Sequence, residues 1–88
     1  MTLKVGDTVG ISDAVAKRIV SLCKERSITV NKLCTISGVT QSTVNCIVNG
    51  NVKNIGIVTI KKLCDGLDIS ITEFFDTPEF RDLEQELF

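Results

Sequence analysis

The stretch from Thr29 to Gly50, TVNKLCTISGVTQSTVNCIVNG, constrains this chain more than any other. Leu33 and Cys34 give its first half an apolar face, and Val44 and Ile47, three apart, give its second half another. Between them Gly38 tolerates positive φ, Val39 supplies an apolar plug, and Thr40 offers an N-cap hydroxyl. Two short helices joined by such a turn form a helix-turn-helix. Gln41, Ser42, Asn45, Cys46 and Asn49 fall on the side of the second helix opposite the plug, where they face outward.

The remaining elements follow from the same periodicity. Residues 1–11 have no helical period; Leu3, Val5, Val9 and Ile11 alternate around Gly6-Asp7, which fits a short strand or a weakly structured arm. Ser12 is the expected cap of a first helix, with Asp13 in its first turn and Val15, Ile19, Leu22 and Cys23 as its inward stripe. Lys17, Arg18, Lys24 and Arg26 lie off that stripe. Thr29 and Thr40 cap the second and third helices, and the third stops at Asn49-Gly50. After a polar linker, a fourth helix begins near Gly56 with Ile57, Ile60, Leu63, Cys64 and Leu67 inward; Gly66 within it allows a close helix contact. Ile71, Phe74 and Phe75, led by Ser70 or Thr72, form a short fifth helix that closes the core. The helical domain is thus expected over residues 12–76. Thr77-Pro78 restarts the chain, and Phe80, Leu83, Leu87 and Phe88 make residues 77–88 an amphipathic acidic helix.

Eighty-eight residues suit one domain with an aliphatic core. No apolar run reaches the ~20 residues of a membrane span, and no secretory signal is evident, so the expected location is the cytoplasm. Cys23, Cys34, Cys46 and Cys64 contain no C-x-x-C pair, and the chain has no His, which excludes the common Cys/His zinc patterns. Reduced core thiols are the reading for the inward positions. No cofactor, metal site or catalytic constellation is expected. The net charge of −1 divides sharply. Residues 1–62 hold nine Lys and Arg against three acids, a balance of +6, whereas residues 63–88 hold Arg81 against eight acids, a balance of −7. Such a split sets a basic face, suited to a polyanion, against an acidic end kept clear of it.

From Ile19 to Phe75 the sequence resembles the Cro/C1-type (XRE-type) helix-turn-helix domain of phage and bacterial repressors. The resemblance rests on G38-V39-T40-Q41-S42-T43-V44-N45 followed by Ile47 and N49-G50, and on the run from Ile57 to Phe75. It implies an all-α, five-helix lambda-repressor-like fold, here with an additional short C-terminal helix, acting as a transcriptional regulator on double-stranded DNA. The sequence departs from the family pattern at Val30, where a phosphate-holding polar residue is common, at Ile55, where Pro is common, and at Cys46, often Arg, Lys or Gln.

The chemistry of the outward face agrees with that implication. In the major groove Gln41 and Asn45 can each pair bidentately with adenine, Ser42 can donate or accept, and Cys46 offers a soft contact to a thymine methyl. Phosphates are assigned to Lys32, Thr43, Asn51, Lys53 and Asn54, with helix N-termini contributing N–H groups. One module covers only ~600–1,000 Å² on DNA, so a homodimer on a two-fold operator is expected, joined through Phe80, Leu83, Leu87 and Phe88. The alternative is a protein-interaction module, an antitoxin or anti-repressor, built on the same fold.

Overall fold

Hydroxyl caps decide where the central helices begin. In the computed structural model, which describes residues 10–83, the Thr29 hydroxyl accepts the Lys32 N–H at 3.0 Å and starts α2, Val30–Ser37. The Thr40 hydroxyl accepts the Thr43 N–H at 3.3 Å and starts α3, Gln41–Val48. Each satisfies one of the N–H groups that a helix start leaves without a backbone partner. Gly38 ends α2 at φ +72°, returning its N–H to the Cys34 carbonyl, and Val39 plugs the turn as a buried residue. Both central helices are therefore bounded where the sequence places them.

Before this pair stands α1, Ile11–Glu25; after it come α4, Ile57–Leu67, α5, Ile71–Phe75, and α6, Pro78–Arg81. Among the described residues there is no strand. α1 packs on α3 and α2, α2 packs on α3 and α4, and α5 closes against α4. Ile19, Leu33, Val44, Leu63, Cys64 and Phe74 are fully buried where these elements meet. Burying each of the larger apolar side chains contributes about 1.5–3 kcal/mol. Gly66 is the point of closest approach: a Cβ there would lie 2.9 Å from the Cα and Cβ of Ser37. A side chain at 66 would push α2 away from α4, so the expected close helix contact is present.

Three boundaries differ from expectation. α1 begins two residues earlier than a Ser12 cap implies: Gly10 is the cap, its carbonyl accepting the Ala14 N–H at 3.1 Å, and Ser12 lies inside the helix. Ile57 is expected inward but is largely exposed, because the first turn of α4 runs past the edge of the core. Of the amphipathic helix expected over 77–88, the described residues form the single turn of α6, begun by Pro78 at its first position and followed by Asp82 as its cap. Residues 1–9, most of the proposed arm, and residues 84–88, with Leu87 and Phe88, lie outside the described residues.

Phe80 does not stand free on that turn. Its ring lies 4.8 Å from Phe75 and 6.1 Å from Phe74, centroid to centroid, and α6 packs on α1. The first member of the C-terminal stripe thus completes an aromatic cluster in its own chain. Arg18 secures the same corner. Its Nε–H donates to the Phe74 carbonyl at 2.8 Å and an Nη2–H to the Glu73 carbonyl at 3.0 Å. A cation at the end of α5 satisfies the Phe74 carbonyl and adds a second donor to the Glu73 carbonyl, which already accepts the Asp76 N–H at 3.3 Å.

Candidate nucleic-acid interface

The third helix divides cleanly. Val44 and Ile47 are buried, while Gln41, Ser42, Asn45 and Cys46 are exposed. All four residues assigned to base contact therefore occupy the free side of a helix whose other side is held by α1 and α2. At its start Thr40 gathers neighbouring hydroxyls: Thr43 Oγ1 lies 2.8 Å and Ser42 Oγ 3.4 Å from Thr40 Oγ1. That cluster fixes the Thr43 rotamer while leaving its oxygen at the surface.

The residues assigned to phosphate contact are also exposed: Lys32 in the first turn of α2, Thr43 on α3, and Asn51, Lys53 and Asn54 in the linker. Gly50, at φ +77°, turns the chain from α3 into that linker. Asn51 N–H returns to the Cys46 carbonyl at 2.9 Å, which ties the linker to the end of the third helix. Among the described residues neither Lys32 nor Lys53 takes part in an ion pair.

The structure brings only some of these residues into one place. Ser42, Thr43, Cys46 and Asn54 share an open groove of about 330 Å³ between α3 and the first turn of α4. Val52 and Ile55 form part of its apolar wall. Gln41, Asn45, Lys32, Asn51 and Lys53 lie outside it; Lys53 and Asn54 border a second groove with Ile11 and Phe75. Sequence reasoning missed Gly56 and Thr59, which line the first groove from the α4 side. Thr59 stands one residue before the inward Ile60, so a polar residue at the rim of an apolar stripe was the available signal.

Cys46 is exposed, whereas Cys23, Cys34 and Cys64 are buried and all four are free thiols. Burial pushes the thiols of Cys23, Cys34 and Cys64 up from their ordinary value. They behave as small apolar core groups. No group of His, Cys, Asp and Glu able to hold a metal ion occurs among the described residues.

The sequence profile of the Cro/C1-type HTH DNA-binding domain matches residues 18–79. The chain belongs to that family. A solved structure similar to this Cro/C1-type domain is the crystal structure of the prophage Lp1 protein 11. The two share 34% identity with a TM-score of 0.74, over 83% of this chain and 96% of that one. No curated protein matches the chain. No helix among the described residues is long and apolar enough to cross a membrane. In this Cro/C1-type domain, α2 and α3 are the helix-turn-helix pair.

Proposed function

We propose that this Cro/C1-type domain is a sequence-specific transcriptional regulator that represses by occupying a two-fold operator as a homodimer in the cytoplasm. The observation that carries the reading is the division of α3, buried at Val44 and Ile47 and polar at Gln41, Ser42 and Asn45. A helix supported on one side and free on the other fits a major groove. Gln41, at the first position of α3, reads adenine N6 and N7; Asn45, one turn on, reads a second base. Cys46 presents no strong donor, and a thymine methyl suits the apolar wall that Val52 and Ile55 form in its groove. With no Arg on this face, the preferred half-site is rich in A·T pairs. Lys32, Thr43, Asn51, Lys53 and Asn54 hold the flanking phosphates.

Selection of bound duplexes from a random pool, at low and moderate salt, tests this. The expected outcome is an A·T-rich inverted repeat whose affinity falls steeply with salt as condensed counterions are released. Gln41→Ala should cost ~1–3 kcal/mol at one base position and relax preference there. An affinity unchanged between the two salt conditions, or a Gln41→Ala loss spread evenly over all sequences, contradicts the assignment.

A further inference from the structure

Thr40 has a second role at the start of α3 besides capping it. Its Oγ1 accepts the Thr43 N–H at 3.3 Å, and the Thr43 hydroxyl stands 2.8 Å from the same atom. We propose that Thr40 is a positioning residue for DNA: its hydroxyl proton goes to Thr43 Oγ1 and so turns the Thr43 proton outward, onto a phosphate oxygen. The proposal rests on the phosphate assignment of Thr43 above and names the group that aims it.

Distance decides where the Thr40 proton goes. Hydrogen bonds between oxygens fall at about 2.5–3.0 Å. Thr43 Oγ1 at 2.8 Å lies inside that range, and Ser42 Oγ at 3.4 Å lies outside it. A hydroxyl has one proton and two lone pairs. Thr40 gives a lone pair to the Thr43 N–H and keeps its proton for the Thr43 oxygen.

The ligand then fixes the direction of the chain. Between two hydroxyls either oxygen is able to donate, but a phosphate oxygen only accepts. Thr43 must therefore donate to the phosphate, and its own oxygen accepts from Thr40. The links run one way: Thr43 N–H to Thr40 Oγ1, Thr40 O–H to Thr43 Oγ1, Thr43 O–H to phosphate. Each polarises the next, and the last ends on an anion, where hydrogen bonds are strongest.

Two hydroxyls of α2 show the contrary arrangement. Thr35 Oγ1 donates to the Asn31 carbonyl at 3.2 Å and Ser37 Oγ to the Leu33 carbonyl at 2.6 Å, each one turn back in its own helix. Those protons are engaged. Among the described residues Thr43 has no such bond to a backbone carbonyl; Thr40 holds its oxygen instead. Both threonines are exposed, so the outward proton meets whatever lies against the start of α3.

The test uses the full chain and a duplex that it selects from a random pool. Thr40→Asp separates the two roles of Thr40. A carboxylate caps a helix at least as well as threonine, but it has no proton to give, so Thr43 donates to it and turns lone pairs toward the phosphate. Thr43→Val should weaken binding about tenfold, the loss of one hydrogen bond to an anion. Thr40→Asp should weaken it about tenfold or more at an unchanged denaturation midpoint, whereas Thr40→Ser, which keeps the hydroxyl, should stay within about twofold of wild type. The new charge at position 40 also repels phosphate directly, and the double variant separates that effect. Adding Thr43→Val to Thr40→Asp should cost less than about twofold further. A further loss of about tenfold shows that the two residues act independently and overturns the proposal. Thr43→Val binding as tightly as wild type also overturns it and removes Thr43 from the phosphate contacts, while base reading by Gln41 stands.

Discussion

In the part of the molecule built from α1 and α4 to α6, three cations are engaged within the chain. Arg18 is committed to the carbonyls at the end of α5, Lys61 to Asp65 and Arg81 to Asp76. On the side of α2 and α3 the described structure leaves Lys32 and Lys53 exposed and without an ion pair. Exposed ion pairs contribute only ~0–1 kcal/mol each, so the contrast concerns availability more than stability. The overall charge of −1 conceals it. What a polyanion meets is the local field of groups not already committed, and Lys32 and Lys53, beside α3, are among them.

The sharpest way to break this division is to attack the closing side. Phe74 is fully buried and sits where Arg18, Phe75 and Phe80 converge. Phe74→Ala should cost ~3–5 kcal/mol, read as a lowered denaturation midpoint at unchanged slope. A loss below ~1 kcal/mol would remove that corner from the core.

Thiol labelling of the native protein extends the comparison. Cys46 should react freely, while Cys23, Cys34 and Cys64 should react at least ~100-fold more slowly, since each must wait for local opening. Their raised pKa values act in the same direction, because less reactive thiolate is present at neutral pH. Equal rates at all four positions would contradict the assigned faces. A smaller effect is expected at the α2–α4 approach. Gly66→Ala should destabilise by ~1–2 kcal/mol, because overpacking against the Ser37 backbone outweighs the gain in helix propensity. A stabilised variant would show that the two helices can separate at little cost.

The gentlest measurement addresses charge directly. Lys53→Ala should lower the slope of log affinity against log salt by about one, with little change in folding. Lys61→Ala, removing a cation already paired with Asp65, should leave that slope nearly unchanged. Equal changes would erase the distinction drawn between the two sides.

Features decided within a few residues were legible in the sequence. Thr29 and Thr40 cap the helices that follow them, Gly38 supplies the left-handed stop, and Val44 and Ile47 turn inward, because each depends on neighbours within one turn. Arg18 was read only as a surface cation, since its partners lie 55 and 56 positions away. Ile57 shares the phase of the inward stripe, yet periodicity does not tell where the core ends. Phe80 has the spacing of a helix face whether that face is free or folded back. At the candidate site, the exposure of Gln41, Ser42, Asn45 and Cys46 followed from α3 alone. The groove joining Ser42, Thr43 and Cys46 to Asn54 and Thr59 did not, because it depends on the path of an aperiodic linker.

The clasp between Arg18 and the end of α5 also bears on how a newly made molecule matures. Synthesis delivers the amino end first, so α1, α2 and α3 leave the ribosome before α4 and α5 exist to brace them. Leu33 and Cys34 must wait for α4, and Arg18 must wait for the Glu73 and Phe74 carbonyls. A nascent chain carries the side chains proposed for base contact while it still lacks the scaffold that holds them in register. Competence to engage an operator should therefore arrive late and as a single cooperative step, making each molecule silent until its last helices have emerged.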